Sequence, residues 1–157
     1  MLYSEENIID RSCFWRRNTK NIVFTNGCFD LLHKGHKELL KKAKSLGDIL
    51  IVGLNSDYSV RKIKGEKRPI ETETIRAKKL IKLEYVDAVC IFREETPIKL
   101  IKSIRPHFLV KGGDYKKGDI VGSDIIQTWG GKIIIIPLIK GYSTTLIIEK
   151  NKREGLV

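Results

Sequence analysis

Ile22-Val23-Phe24-Thr25-Asn26-Gly27-Cys28-Phe29-Asp30-Leu31-Leu32-His33-Lys34-Gly35-His36 is the stretch that decides the fold. Ile22 to Thr25 is a largely apolar run with strand character, Asn26 and Gly27 mark a turn, and His33 and His36 then open an amphipathic helix. A strand that feeds a helix through a glycine-containing turn aims unpaired backbone N–H groups and the positive end of the helix dipole at one point. Glycine there lets a phosphate come close to the backbone. Two imidazoles at the same point add donors that are charged or neutral near pH 7. The stretch is therefore read as a phosphate-binding junction.

Working outward, the helix after the histidines runs from about residue 35 to 46, with Leu39, Leu40, Ala43 and Leu46 on one face and Gly47 as its C-cap. Residues 48–54 are nearly all apolar, as in a strand buried on both faces of a parallel sheet, and end in Asn55-Ser56-Asp57. Residues 59–69, with Arg61, Lys62, Lys64, Lys67 and Arg68 around Gly65, read as a mobile basic loop that could begin with a helical turn. A helix over 72–85, a strand over 88–92, a short helix from Pro97 to Ser103 and a strand over 108–110 follow. That strand ends in Lys111-Gly112-Gly113-Asp114; a helix over 123–129, a strand over 132–136 and a last helix from Gly141-Tyr142-Ser143-Thr144-Thr145 to about Lys152 complete the chain. The alternation predicts an α/β, Rossmann-like three-layer fold around a five-stranded, mainly parallel sheet. Residues 1–20 are expected as an N-terminal arm or short helix, and residues 21–157 as a single domain. The polar clusters after the first, second, fourth and fifth strands would converge on one rim.

The composition is that of a globular protein: 157 residues, 41% apolar and 31% charged. No apolar stretch is long enough to span a membrane, and the first twenty residues are too polar for a signal peptide, so a cytoplasmic location without membrane contact is expected. Cys13, Cys28 and Cys90 are odd in number and far apart, which disfavours a disulfide framework or a thiolate zinc site. Cys28 lies in the opening stretch but has no base at a useful spacing and reads as a packed small residue. The net charge of +11 raises the question of nucleic acid. The lysines are scattered without aromatic interleaving, so a solvated basic surface is favoured, and the same field would attract a phosphorylated substrate.

Two histidines could also ligate zinc, but no third ligand at a familiar spacing accompanies them. Neither a G-x-G-x-x-G turn nor a Walker P-loop is present. Ser143 and Thr144 are by default an N-cap, with their place on the rim favouring phosphate as well. Lys111 and Asp114 around two glycines are read equally well as a plain turn or as a ligand-facing loop. The lone His107 reads as structural.

Taken together, residues 24–36 resemble the signature of the cytidylyltransferase-like nucleotidyltransferases, of the type with His-x-Gly-His. The resemblance continues through Asn55-Ser56-Asp57, Lys64-Gly65, Arg68-Pro69, Arg76-Ala77, Val86-Asp87, Lys111-Gly112-Gly113-Asp114-Tyr115 and Gly141 to Thr145. Within that superfamily the Thr25-to-Asp30 opening and Lys111-to-Tyr115 are most similar to the adenylyltransferase domain of bacterial ADP-heptose synthases, and the sugar-kinase partner domain is expected to be absent. Glycerol-3-phosphate cytidylyltransferases usually carry an Arg before the last helix where this chain has Leu138-Ile139-Lys140-Gly141. The heptose enzymes tend to have Glu-x-Arg where this chain has Thr74-Ile75-Arg76.

The resemblance implies transfer of AMP from ATP, with Mg²⁺, to a sugar 1-phosphate, heptose 1-phosphate first among them, giving an ADP-sugar and pyrophosphate. It assigns His33, His36 and Lys111 to the reacting triphosphate and Asn26, Gly27, Phe29 and Gly35 to the backbone cradle. Asp30, Asn55, Asp57, Lys64, Arg76, Gly112, Asp114, Ser143 and Thr144 complete the nucleotide site. Mg²⁺ would arrive with the nucleotide and keep much of its water, so no protein cage is expected. A homodimer is implied and nucleic acid is not expected as a partner. The alternatives are a glycerol-3-phosphate cytidylyltransferase, a flavin adenylyltransferase of the FAD synthetase type, or a basic nucleotide- or nucleic-acid-binding domain without turnover.

Overall fold

Ile22, Phe24, Ile51, Cys90, Leu109 and Ile133 pack into one apolar layer, whereas Val23, Leu50, Val52, Leu54, Val89 and Val110 pack into another. Alternate residues of continuous apolar strands thus feed opposite faces of one sheet, which is why these segments show no polar face in the sequence. The computed structural model describes residues 1–113 and 116–137. It contains β1 (Leu2–Tyr3), α1 (Glu5–Arg17), β2 (Ile22–Gly27), α2 (Lys34–Lys44), β3 (Ile49–Asn55), α3 (Asp57–Lys64), α4 (Glu73–Ile81), β4 (Ala88–Phe92), α5 (Ile98–Ile104), β5 (Phe108–Gly112), α6 (Ser123–Gln127) and β6 (Lys132–Ile136). The order across the sheet is β1-β4-β3-β2-β5-β6, with every pairing parallel. Ile8, Leu100, Ile101, Ile104 and Ile126 bring α1, α5 and α6 onto one face; Leu39, Leu40, Ala43, Ala77 and Leu80 bring α2 and α4 onto the other. The three-layer α/β architecture is thereby established.

The sheet has six strands where five were expected. The added strand lies in residues 1–20: Leu2 and Tyr3 pair with Val89 and Cys90, the Val89 N–H donates to the Met1 carbonyl, and the terminal ammonium donates to the Asp87 carbonyl at 2.9 Å. A strand of this length has no period to detect, and only the open edge of β4 makes it one. The rest of the segment is the 13-residue α1, capped by Ser4, whose Oγ accepts from the Asn7 N–H at 3.2 Å.

A second difference is α3. Part of the segment read as a basic loop is a helix of eight residues, started by Ser56, whose Oγ accepts from the Ser59 N–H at 3.2 Å. The third is Gly47, expected as a helix C-cap. α2 ends instead at Lys44 with Ser45 as its C-cap, and Gly47 is needed because the chain entering β2 passes close by: a Cβ there would stand 2.8 Å from both the Asn21 carbonyl oxygen and Val23 Cγ2. Gly47→Ala is expected to cost about 1–3 kcal/mol by overpacking against backbone, read as a lowered urea or thermal midpoint.

His107 is structural, as read. Its Nδ1 accepts from the Ile22 N–H at 2.9 Å, its own N–H donates to the Ile22 carbonyl, and its carbonyl accepts from Lys132, so one residue ties together the starts of β2, β5 and β6. Among the described residues no helix is long and apolar enough to cross a membrane. Asp114, Ser143, Thr144 and the expected last helix lie outside the described residues.

Candidate functional site

The strand order reverses between β2 and β5. From β2 the chain moves outward through β3 and β4, and from β5 it moves the opposite way to β6. The helix after β2 covers one face of the sheet and the helix after β5 covers the other. A crevice therefore opens beyond the carboxyl ends of these two strands, the place where open α/β sheets receive ligands. Asn26 and Gly27 end one wall, and Lys111 and Gly112 end the other. Lys111 reaches across: its Nζ donates to Asn26 Oδ1 at 2.6 Å. Burial lowers the pKa of its amine to about 8, with Cys28 opposing the shift.

His33 is the N-cap of α2, and the two histidines cap the helix reciprocally. The His36 N–H donates to His33 Nδ1 at 3.4 Å, and the His33 N–H donates to His36 Nδ1 at 3.5 Å. The rings stack with centroids 3.7 Å apart, and Phe29 meets His36 edge-on at 5.3 Å. Burial lowers the pKa of both. His36 falls to about 4, with His33 adding to the effect and Asp30 opposing it. Both imidazoles are then neutral at pH 7, and since each Nδ1 accepts a backbone N–H, each ring carries its proton on Nε2. Two N–H donors thus stand at the N-terminus of α2, beside the positive end of its dipole, where Gly35 is buried.

Phe29 is buried and left-handed, with φ 47°. Its ring lies close over Gly27, where a Cβ would stand 3.2 Å from Phe29 Cε2. The ring is thus a wedge between the turn and His36. Cys28 is partly buried, and Arg76 donates to its carbonyl. Burial raises its thiol pKa, while Lys64, Arg76 and Arg68 pull it down and Asp30 adds to the rise. That thiol is not activated as a nucleophile, in accord with its reading as a packed residue. Lys64 is exposed at the last residue of α3.

Four expected nucleotide contacts are turned into the wall instead. Asp30 is fully buried and its carboxylate accepts from Arg68 Nε, the Ile70 N–H and the Glu71 N–H at 2.8, 2.9 and 3.0 Å. Arg76, also fully buried, donates to the carbonyls of Glu71, Cys28 and Asn55 and to Asp57 Oδ1 at 2.9, 2.6, 2.8 and 2.7 Å. Asn55 is buried and its Nδ2 donates to Ser59 Oγ at 3.2 Å. These ion pairs and hydrogen bonds lie within the protein, where they brace the turn after β2, the end of β3 and the α3–α4 link. Glu73, which the sequence reading passed over, accepts from the Asp57 N–H at 2.7 Å. An acid expected at position 74 is thus present one residue earlier. Arg68 was read as part of the basic loop and of the family resemblance but not as a site residue, its charge being one among several neighbouring basic ones. Among the described residues no group of three or more His, Cys, Asp or Glu could hold a metal ion.

A doubly wound α/β domain with a lysine and two histidines at its switch point belongs to the nucleotide-binding class of such folds. The cytidylyltransferase-like family profile matches residues 24–150, and the chain belongs to this family of nucleotidyltransferase enzymes. It is 54% identical over 136 residues to the bifunctional protein HldE of Koribacter versatilis, covering 87% of this chain and 28% of that protein. It is 51% identical over 152 residues to the bifunctional protein HldE of Rhodopseudomonas palustris, covering 97% and 31% respectively. The chain thus spans less than a third of the curated relatives it matches. The lipopolysaccharide core biosynthesis protein of Thermoplasma volcanium superposes with a TM-score of 0.63 at 28% identity, over 79% of this chain and 99% of that one. Pantothenate synthetase of Thermus thermophilus shares the fold, with a TM-score of 0.67 at 12% identity over 97% of this chain and 70% of that one.

Proposed function

We propose that the chain transfers AMP from ATP to a sugar 1-phosphate, heptose 1-phosphate in the first instance. An oxygen of the sugar phosphate attacks the α-phosphorus, the bond from that phosphorus to the bridging oxygen breaks, and pyrophosphate leaves with the electron pair. Such chemistry needs alignment and charge stabilisation more than a covalent residue. The observation that carries the reading is the neutral, stacked pair His33 and His36 at the start of α2, the helix that leaves β2 just beyond the strand end where Lys111 reaches Asn26. Two Nε2–H donors and the helix N-terminus suit the charge that builds on phosphoryl oxygens. The nucleotide would bring its own magnesium as Mg–ATP. The paired state of Asp30 and Asp57 is consistent with that, since both carboxylates already serve arginines.

The choice of acceptor is supported by the resemblance of residues 25–30 and 111–115 to ADP-heptose synthases and by the similarity to the lipopolysaccharide core biosynthesis protein of Thermoplasma volcanium. The reading also places residues 21–157 as the nucleotidyltransferase domain, acting in the cytoplasm as a homodimer; light scattering at twice the monomer mass is the check on the dimer. Pyrophosphate release should be measured for ATP and CTP, each with heptose 1-phosphate, glycerol 3-phosphate and FMN. Turnover is expected with ATP and heptose 1-phosphate. Turnover with CTP and glycerol phosphate only, or binding of nucleic acid with no turnover at all, would replace the reading.

The same assignment sets a pH dependence. Below about 8 the Lys111 amine is charged and attracts phosphate, and above that it loses its proton. kcat/KM is therefore expected to fall roughly tenfold per pH unit above that point, since it follows the ionisation of the free enzyme. Lys111→Arg, which stays charged, should flatten that limb. An unchanged limb in the Arg variant would assign it elsewhere.

A further inference from the structure

Asp30 lies three residues before His33, and it does more than neutralise Arg68. Oδ2 accepts from Arg68 Nε at 2.8 Å and lies 2.8 Å from Arg68 Nη2, so the guanidinium is held side-on by one edge. The segment around it is held by the same carboxylate through the Ile70 and Glu71 N–H groups. Among the described residues the Nη1 edge has no hydrogen-bond partner, and the side chain is 18% exposed. Asp30 belongs to the turn between β2 and α2, and it holds Arg68 and the segment after it, so this guanidinium belongs to the histidine turn and not to a remote surface. The other two cations near Cys28 differ from it. Arg76 spends its donors inside the wall, and Lys64 is exposed on the end of a helix.

We propose that Arg68 is a substrate-binding residue of the crevice, aimed by Asp30, whose open edge receives a phosphate group; this rests on the transferase reading above. A guanidinium matches a phosphate with two parallel N–H donors, and fixing it beforehand on a buried carboxylate removes much of the rotamer entropy that binding would otherwise cost. The phosphate belongs either to the nucleotide or to the acceptor, and the measurement separates the two.

Calorimetric titrations of the full chain with ATP, with pyrophosphate and with heptose 1-phosphate, for wild type, Arg68→Gln and Arg68→Lys, test it, with thermal unfolding of each ligand-free protein alongside. Arg68→Gln should weaken at least one ligand roughly 10- to 100-fold, as expected for one charge-assisted hydrogen bond. Arg68→Lys should recover only part of the loss, because a lysine held by Asp30 has no second edge to offer. Loss for ATP and pyrophosphate alone places the nucleotide's phosphates at Arg68, and loss for the sugar phosphate alone places the acceptor there. Wild-type affinities for all three ligands in Arg68→Gln would overturn the proposal. If that variant does not fold, wild-type affinities in Arg68→Lys would do so. A wild-type chain that binds these ligands but releases no pyrophosphate would overturn the transferase reading alone. One that binds none of them would overturn both.

Discussion

His36→Ala is expected to lower kcat about 100-fold or more while leaving the fold intact, which is the usual cost of removing one preorganised donor from a developing oxyanion. The size follows from how the ring is held. Stacking on His33 at 3.7 Å, the edge contact with Phe29 at 5.3 Å and the His33 N–H on Nδ1 leave the ring one free nitrogen. With a pKa of about 4 the ring is neutral at working pH, so that nitrogen is an Nε2–H donor. The alanine variant loses the donor and one long hydrogen bond of the helix cap, so its thermal midpoint should move little. KM should change less than kcat, because the contact matters most in the transition state. Steady-state pyrophosphate release gives both numbers. A kcat within about threefold of wild type would remove His36 from the chemistry.

Arg76→Met is expected to destabilise the chain by about 3–5 kcal/mol, the usual cost of removing one member of a buried ion pair. Methionine keeps much of the stem volume but none of the donors. The carbonyls of Cys28, Asn55 and Glu71 lose their bonds to the guanidinium, and Asp57 loses its cation. Asp57 is 23% exposed and recovers some water, which holds the loss to this range rather than a larger one. Those carbonyls end β2, end β3 and belong to the α3–α4 link, so the variant should also loosen the turn that carries Cys28. Arg76→Lys keeps the charge but cannot reach acceptors on three separate segments, and it should recover only part of the stability. Urea unfolding gives the comparison. A midpoint in Arg76→Met equivalent to a loss under about 1 kcal/mol would show that the bracing is redundant.

Legibility followed range. The strand from Ile22, the turn at Gly27 and the helix after His33 are local patterns, set by residue types within a few positions of one another. Asn26 and Lys111 could be placed at the ends of strands from the sequence. Their 2.6 Å contact could not, because it depends on β5 lying beside β2. Asp30, Asn55, Asp57 and Arg76 looked like ligand contacts because a charged or polar residue at a strand end carries no mark of its partner. In the fold Asp30 takes Arg68, Asp57 takes Arg76, and the Asn55 side chain takes Ser59.

β1 and α3 show the same limit from the side of structure. Leu2 and Tyr3 become a strand only against the free edge of β4, and a basic stretch becomes α3 through Ser56 and the Glu73 carboxylate at its N-terminus. By itself, the sequence determined an alternating α/β chain whose main junction is built for phosphate, because periodicity, glycine and helix dipoles act over a few residues. Tertiary structure alone decided which charges stay available at that junction. A carboxylate or guanidinium commits to whichever opposite charge the packed strands bring within hydrogen-bond reach. That left Lys111 and one edge of Arg68 to the crevice and drew Arg76 into the wall.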